Sequence, residues 1–377
     1  MIIGITANFT PVGVGISGKK GAHYEAVGQL AALHPEHRFH LFYSTPAEGF
    51  QPRFPSNVVL QKKPGYKHPL LQKLWYDVQL TRLLKKHQAD VFLSMEGFCS
   101  QTSKVTQCLL IPGGFASEEL GERKKRGERF YHWLLPGFLS RASSAIAGSH
   151  RQKEHLENLY GDKGKKLEVV YGGIGAATGV LSAEAKARVR QQYSEGMEYF
   201  IYEGPISTRK VLPVLKAFSL FKKRQQTAWK LVLCPHEGGM EKGFHQLMST
   251  YKYRQDVVLA GSLNEEERSG LQGAAYGAID PDTDHQSIAS ALAWMERGVP
   301  YMAASNNPVV EIGPDAALFF NAENPADIAE KFMQLYKDEA LHGALTEKGV
   351  ALATEYSWRR TADQIWENLL RLQSRQQ

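Results

Sequence analysis

Cysteine is scarce in this 377-residue sequence, and no apolar run reaches the roughly 18 residues that a membrane span needs. The three cysteines, Cys99, Cys108 and Cys234, have no metal-ligand spacing and cannot all pair with one another. The first residues, MIIGITANFT, lack the basic and apolar regions of a signal peptide and are expected to form a strand. These absences favour a soluble globular protein in a reducing, cytoplasmic compartment.

Positive charge is unevenly distributed along the chain. Residues 1–175 hold 23 Lys and Arg against 14 Asp and Glu, a net charge of +9, whereas the remainder holds 22 against 25, a net of −3; together these give the overall +6. The strongest basic cluster, ERKKRGER at 122–129, precedes the aromatic run FYHWLLPGF. Such a segment suits peripheral contact with an anionic membrane surface or an anionic acceptor, and the alternative is a solvated helix start over a buried aromatic face. No nucleic-acid-binding motif accompanies the charge, so no nucleic acid partner is expected.

Strand-like and helix-like segments alternate along the chain. Short apolar runs such as IIGITA (2–7), RFHLFYS (38–44) and EYFIYEG (198–204) are separated by segments with helical spacing of apolar residues, such as HPLLQKLWYDVQLTRLLKKH (68–87), which is predicted to be a helix. The pattern restarts after YGGIGAATG (171–179), a glycine-rich stretch typical of a linker. The sequence therefore predicts an α/β fold with two tandem Rossmann-like, doubly wound domains and a cleft between them. The predicted units are residues 1–175, residues 176–358, and a final helix, 359–377, that packs back on the first domain.

A glycine-rich loop follows the first predicted strand. GVGISG at 13–18 matches G-x-G-x-x-G, with Gly15 and Gly18 as its second and third glycines. A nicotinamide or flavin site would also need an acid at the end of the second strand, and FYST at 42–45 has none. We therefore expect a loop that lets a ligand approach the backbone closely, rather than a dinucleotide site.

The segment YFIYEGPISTRKVLPVLKAFSLFKK (199–223) carries a stronger signal. A strand ends at Glu203 and Gly204, and the cations Arg209 and Lys210 stand just before a helix. Cations are unfavourable at a helix N-terminus, which is itself positive. Two cations there at the carboxyl end of a strand suit a bound diphosphate, helped by the amide of Gly204. The alternative is that both side chains are solvated.

Several long stretches resemble the family-4 glycosyltransferases of the GT-B fold. They include KLWYDVQLTRLLKKHQADVFLS, SSAIAGSHRQKEHLENLYGDKGKKLEVVYGGIG, the segment at 199–223, DVVLAGSLNEEERSGLQGAAYGAIDPD, VVEIGPDAALFFNAENPADIAEKF and YSW. The resemblance implies a first domain on the acceptor side and a second on the nucleotide-sugar side. It implies transfer of a sugar from a nucleoside-diphosphate sugar, with retention of configuration, to a glycan or lipid-linked acceptor. No permanently bound cofactor and no metal are expected.

The family's donor motif is altered in this sequence. In the stretch PDTDHQSIASALAWMERGVP (281–300), the two glutamates that the family separates by seven residues are replaced by His285 and Ala293. In the family the first lies beside the donor sugar and the second grips the ribose, so neither role carries over. Ser287 is predicted to be the N-cap of the following helix, whose first amides suit a phosphate.

Other family positions are partly kept. Pro112 and Gly113 stand where the family often carries a His-Asp pair in the acceptor cleft, and Gly18, Lys19 and Lys20 replace its Gly-x-Gly. By contrast, Arg209, Lys210 and Glu311 stand where the family has its donor-site basic pair and second-domain glutamate. The scaffold is kept, but several chemical groups are missing.

The catalytic residues stay open at this level. His285 is either a surface residue or a donor to a phosphate or sugar hydroxyl. Glu296 lies about one helical turn from Ala293 and is a hypothetical substitute for the missing carboxylate. Asp282, Asp284 and His285 form one short cluster without a second arm, so no metal site is predicted. The expected function is a glycosyltransferase; the alternative is a catalytically silent homologue that binds a glycan or stabilises a partner.

Overall fold

The computed structural model describes residues 1–8, 21–44, 53–66, 68–112, 126–162, 167–175, 179–241, 243–282 and 288–374. Their strands form two parallel sheets, and the helices connect consecutive strands. Parallel strands need crossover connections, which is why apolar strand segments alternate with amphipathic helices in the sequence. The predicted α/β class is therefore confirmed.

The first sheet has seven strands in the order β3-β2-β1-β4-β5-β6-β7. They are β1 (Ile2–Asn8), β2 (Arg38–Ser44), β3 (Val58–Lys62), β4 (Val91–Ser94), β5 (Thr106–Leu110), β6 (Ser144–Ala147) and β7 (Leu167–Val169). Its helices are α1 (Gly21–Leu33), α2 (Pro69–Leu74), a π-helical segment (Trp75–Leu80), α3 (Thr81–Lys86), α4 (Arg126–Arg141) and α5 (His150–Tyr160). The π-helical segment joins α2 and α3 into one rod over residues 69–86.

The second sheet has six strands in the order β10-β9-β8-β11-β12-β13. They are β8 (Tyr199–Ile206), β9 (Lys230–Met240), β10 (Val257–Leu259), β11 (Gly277–Asp280), β12 (Tyr301–Ala304) and β13 (Ala317–Phe320). The accompanying helices are α6 (Ala183–Ser194), α7 (Thr208–Gln225), α8 (Phe244–Thr250), α9 (Glu265–Gly273), α10 (Ala289–Glu296), α11 (Pro325–Lys337), α12 (Glu339–Glu355) and α13 (Trp358–Ser374). Short 3-10 helices lie at Arg254–Asp256 and Pro308–Glu311.

The last helix, α13, packs on the first sheet although it follows the second sheet in sequence. Its apolar side chains, including Trp366 and Leu369, are buried in one cluster with residues of α1, β1, β2 and β4. The opposite face of that sheet is covered by the rod 69–86 and by α4. Alternate residues of a strand point to opposite faces, so Leu93 lies in the α13 cluster and Phe92 in the rod cluster. The domain boundaries at 175 and 358 stay predictions.

Three details differ from the sequence predictions. Strand β3, with the sequence VVLQK, was not predicted; it is short and lies at the sheet edge, where burial is incomplete. The helix predicted over 68–87 contains the π-helical segment, which apolar spacing alone does not reveal. Helix α10 begins at Ala289 with Ile288 at its N-cap, rather than with Ser287 there.

Among the described residues, no helix is both long and apolar enough to cross a membrane.

Candidate functional site

Each sheet has one point where its strand order reverses. In the first sheet this point lies between β1 and β4, and in the second between β8 and β11. In open parallel sheets, ligands bind outside the carboxyl ends of the strands at such a point. The side chains at these two edges are therefore the candidate ligand-binding residues.

An ion pair spans the reversal point of the second sheet. Lys210 lies in the first turn of α7, which follows β8, and Asp282 lies just after β11. Lys210 Nζ is 2.5 Å from Asp282 Oδ2, and the two side chains are 18% and 19% exposed. One of the predicted donor-site cations thus stands at the expected edge, and its partner is a carboxylate 72 residues further along the chain.

The end of β11 is held in place by hydrogen bonds. The Asp282 amide donates to Asp280 Oδ1 at 3.0 Å, and the Tyr301 hydroxyl of β12 donates to Asp280 Oδ2. Burial raises the pKa of Tyr301 well above its usual range, as do the charge of Asp280 and its hydrogen bond, so the hydroxyl stays protonated and donates. These bonds fix the position of the Asp282 amide relative to β11 and β12.

The N-terminus of α7 already holds a protein carboxylate. The Thr208 amide donates to Glu241 Oε2 at 2.7 Å, and Ser207 caps the helix by accepting from the Lys210 amide at 3.4 Å. Helix N-termini bind phosphates and carboxylates through these same amides. Two cations at this position favour an anionic partner, and in the structure Asp282 and Glu241 bring negative charge there. A bound diphosphate would compete with both.

Arg209 and Gly204, which are also predicted to contact the donor, lie in different environments from that of Lys210. Arg209 is exposed in the first turn of α7. A Cβ on Gly204 would lie 2.9 Å from the Tyr202 hydroxyl, and the pairing of β8 with β9 is irregular between Gly204 and Ile206. Glycine at 204 therefore has a steric reason that is independent of any ligand. A ligand role for Arg209 and Gly204 stays a prediction.

Glu296 is engaged with its neighbour. Its Oε2 lies 3.9 Å from Arg297 Nη1, and the same guanidinium donates to the Ala293 carbonyl at 2.5 Å. Burial raises the pKa of Glu296, and the Arg297 charge opposes that shift. Ala293 itself is buried within α10. The predicted substitution of Glu296 for a ribose-binding carboxylate stays a prediction.

Glu311 connects the two halves of the chain. Its Oε1 accepts from the Arg151 amide at 2.7 Å, and its Oε2 accepts from the His150 amide and the Tyr171 hydroxyl, both at 2.8 Å. The carboxylate thus caps the N-terminus of α5, a helix of the first half, where negative charge is favourable. Its predicted role in donor binding stays a prediction, now with three of its acceptor positions occupied by protein donors.

Five predicted positions, Gly15, Gly18, Gly113, His285 and Ser287, lie outside the described residues. Pro112 lies two residues after β5, and its carbonyl accepts from Gln152 Nε2 at 3.3 Å. Within the described ranges, no three His, Cys, Asp or Glu side chains come together as a metal site.

A buried carboxylate at the reversal point of the first sheet was missed in the sequence. Glu96 lies two residues after β4, and its Oε2 is 2.8 Å from Lys63 Nζ, with side-chain exposures of 6% and 5%. The Tyr76 hydroxyl donates to the same oxygen at 2.7 Å. Burial, and next the Glu96 charge, raise the pKa of Tyr76 well above its usual range. The sequence feature that could have indicated this site is a single acidic residue, Glu96, directly after the apolar run ADVFLSM.

Comparisons with known proteins agree with this architecture. Residues 24–177 match the family model described as Glycosyltransferase Family 4. The O-antigen chain mannosyltransferase B of Escherichia coli is 23% identical over 172 residues, which are 45% of this chain and 45% of that protein. The chain thus spans less than half the length of this curated relative.

Solved structures share the whole fold at low sequence identity. Sucrose-phosphate synthase from Thermosynechococcus elongatus superposes with a TM-score of 0.73 at 14% identity over 98% of both chains. The Anabaena protein HepE, solved in complex with UDP and glucose, has a TM-score of 0.68 at 15% identity and covers 98% of this chain and 99% of its own. The GT-B architecture is therefore confirmed, and so is the family-4 resemblance, which the family model supports over residues 24–177.

Proposed function

From a GT-B chain whose residues 24–177 match the family-4 glycosyltransferases, we propose a glycosyltransferase that moves a sugar from a nucleoside-diphosphate sugar to a glycan or lipid-linked acceptor. The observation that carries this proposal is the Lys210–Asp282 pair at the reversal point of the second sheet. Ligands of open parallel sheets bind at this edge, and a lysine that pairs with a carboxylate there can also pair with the negative charge of a ligand phosphate.

The nucleotide and the acceptor follow from the relatives by analogy. HepE was solved with UDP and glucose, which makes UDP-sugars the first donors to try. The Escherichia coli relative bears the name of an O-antigen chain mannosyltransferase, which supports a glycan acceptor and GDP-mannose as a second donor. No metal or permanently bound cofactor is part of the proposal.

The chemistry assigns a different task to each edge. In the transfer, the bond from the anomeric carbon to the phosphate oxygen breaks, a bond to the acceptor oxygen forms, and the hydroxyl proton leaves with the diphosphate. Negative charge grows on the departing diphosphate, and the Lys210 ammonium stabilises it. Retention of configuration follows from the family resemblance. At the other edge, we assign to the Glu96 carboxylate, which already accepts from Lys63 and Tyr76, a hydrogen bond from an acceptor hydroxyl.

The test is nucleotide release from UDP-glucose, UDP-N-acetylglucosamine and GDP-mannose, with and without an extract of bacterial lipid-linked glycans. We expect acceptor-stimulated release of one nucleotide, and loss of that release in Lys210→Ala. Nucleotide binding without release from any donor would instead favour the catalytically silent homologue. The absence of both nucleotide binding and nucleotide release would reject a donor site at this edge.

A further inference from the structure

Three aromatic side chains form a row at the beginning of α2 and α4. His68 is the N-cap residue of α2, and its ring centroid lies 6.3 Å from that of Phe130 in α4. The Phe130 centroid lies in turn 5.6 Å from that of Trp133. Phe130 is partly buried against the first-sheet core, whereas His68 is exposed and Trp133 is 72% exposed. We call His68, Phe130 and Trp133 the aromatic platform.

The aromatic platform lies at the same edge of the first sheet as Glu96. Helices α2 and α4 follow β3 and β5, so both begin at the carboxyl-end edge of the parallel sheet, where Glu96 follows β4. Tyr131, next to Phe130, donates from its hydroxyl to the Gly97 carbonyl at 2.8 Å. Gly97 has a φ of +77°, and a Cβ there would overlap the Tyr131 hydroxyl. Helix α4 is thus fixed against the residue that directly follows Glu96.

The platform combines flat aromatic rings with a hydrogen-bond donor. Aromatic ring faces carry partial negative charge, and the axial C–H groups of a pyranose ring, which are slightly positive, pack on such faces. Nδ1 of His68 accepts from the Leu70 amide at 3.2 Å, so in the neutral ring the proton is on Nε2. That N–H can donate to a sugar hydroxyl. Sites for small ligands have this composition, in which aromatic side chains are combined with a few polar groups.

We propose that the aromatic platform is a saccharide subsite, in which Trp133 stacks on one sugar ring of an oligosaccharide acceptor. The ring whose hydroxyl reacts would lie at Glu96, and the stacked ring would be a neighbour further along the acceptor chain. A neutral ligand suits the platform because none of its three side chains carries a fixed charge. The direct connection of α4 to the Glu96 edge favours the acceptor over a protein partner as the occupant.

This inference rests on the proposed function and makes its acceptor more specific. An acceptor that reaches from Glu96 to Trp133 contains more than one sugar ring, so the substrate class is an oligosaccharide chain rather than a single sugar. Binding energy from a ring that does not react would then select longer acceptors. The platform would therefore determine acceptor specificity without touching the bond that is made.

The first experiment measures acrylamide quenching of tryptophan fluorescence in the full chain. The probes are α-linked mannotetraose, maltotetraose and cellotetraose, with mannose and glucose as single-ring controls. Trp133 is 72% exposed and the other five tryptophans are buried or partly buried, so Trp133 should supply most of the quenching. At least one tetrasaccharide should reduce the quenching, and the single sugars at the same concentration should not. Trp133→Phe should abolish this protection.

Calorimetric titration with the protecting tetrasaccharide measures the contribution of each side chain. Trp133→Ala should weaken binding about tenfold or more, because the apolar contact with the sugar ring is lost. His68→Asn keeps an oxygen that can cap α2 but removes the Nε2 donor, and should weaken binding about 2- to 12-fold. Leu74→Gln is the matched control: Leu74 is 58% exposed on the rod outside the platform, and its replacement should leave binding unchanged. Circular dichroism checks that the variants are folded.

Acceptor length gives a readout that a purely structural role would not change. In the nucleotide-release assay, the protecting tetrasaccharide should have a lower KM than the corresponding disaccharide, because only the longer chain reaches the platform. Trp133→Ala should raise the KM for the tetrasaccharide and remove this advantage. An advantage that survives in Trp133→Ala would overturn the proposal.

The remaining outcomes separate this proposal from its alternatives. Failure of all three tetrasaccharides to protect Trp133, or equal effects of Trp133→Ala and Leu74→Gln on binding, would overturn it. Calorimetric binding of UDP without tetrasaccharide binding would reject the aromatic platform and leave the glycosyltransferase proposal intact. Tetrasaccharide binding that depends on Trp133, without nucleotide binding, would support the platform and count against the proposed function.

Discussion

Lys210 faces both Asp282 and the position where a ligand phosphate is proposed, and both compete for the same ammonium group. Removing the cation by Lys210→Ala should weaken UDP binding by about 10- to 150-fold, because a hydrogen bond to a charged group contributes roughly 1.5–3 kcal/mol. Asp282→Asn keeps the shape but removes the competing negative charge, so UDP binding should strengthen. Titration calorimetry of both variants measures whether each substitution weakens or strengthens UDP binding. Equal weakening in both variants would mean that Asp282 orients Lys210 and does not compete for it.

Glu96 and Lys63 are buried together, so removing one charge should be more harmful than removing both. Glu96→Gln leaves the Lys63 ammonium unpaired and should lower the free energy of unfolding by about 3–5 kcal/mol. Adding Lys63→Met should recover most of that stability but no transfer activity, if the carboxylate contacts the acceptor. Denaturant unfolding and the transfer assay together test this. Recovered activity in the double variant would assign Glu96 a purely structural role.

Local sequence pattern predicts the position of some of these residues but not their long-range partners. Lys210 was predicted at a phosphate-binding edge because its place relative to β8 can be inferred from local pattern. Its pairing with Asp282, and the Lys63–Glu96 pair, join residues far apart in sequence, and no local pattern encodes such contacts. The bonds of Glu311 to His150 and Tyr171 were missed for the same reason.

At the scale of elements, Glu311 ties the 3-10 helix Pro308–Glu311 to α5. Glu311→Ala removes three hydrogen bonds, two of them to helix N-terminal amides, and should lower the thermal midpoint by several degrees for a loss of about 2 kcal/mol or more. Tyr171→Phe is the graded control, since it removes only one of the three bonds and should cost about 1 kcal/mol. A midpoint unchanged by Glu311→Ala would show that this contact does not stabilise the molecule.

Most elements were predicted because strand and helix segments differ in the period of their apolar residues. The bounds of the first strand and the start of the final helix agree within about one residue, inside the usual spread of helix and strand ends. Strand β3 was not predicted because an edge strand buries little apolar surface and its sequence therefore lacks a clear apolar pattern. Ile288 occupies the N-cap of α10, where a side-chain oxygen was expected from Ser287, since the helix start is set by packing: Ile288 is fully buried in the second-sheet core.

For the molecule as a whole, six partly or fully buried histidines predict a loss of stability in acid. Burial is the main cause that lowers the pKa of six histidines. They are His23, His34, His37, His40, His87 and His342. A lowered folded-state pKa means that the unfolded chain binds more protons below about pH 6.5, so the stability they contribute is present above that pH and lost as the pH falls.

His342 allows this prediction to be tested at one site. Its Nε2 lies 3.0 Å from the Tyr276 carbonyl, and its ring centroid lies 4.1 Å from that of Tyr276; Lys186, Arg190 and Glu339 are the nearby charges. His342→Gln keeps a donor for that carbonyl but does not titrate. Urea unfolding between pH 7.5 and 5.5 should therefore show a shallower loss of stability in the variant. A slope as steep as that of the wild type would contradict the prediction.

The edge between β8 and β11 is proposed to hold a nucleoside diphosphate. The most direct test is hydrogen–deuterium exchange of the full chain with and without a millimolar mixture of UDP, GDP, ADP and dTDP. We predict slower exchange in peptides that cover the start of α7 and the end of β11, and loss of that protection in Lys210→Ala. Protection confined to the first half of the chain, or no protection at all, would contradict a nucleotide site between β8 and β11.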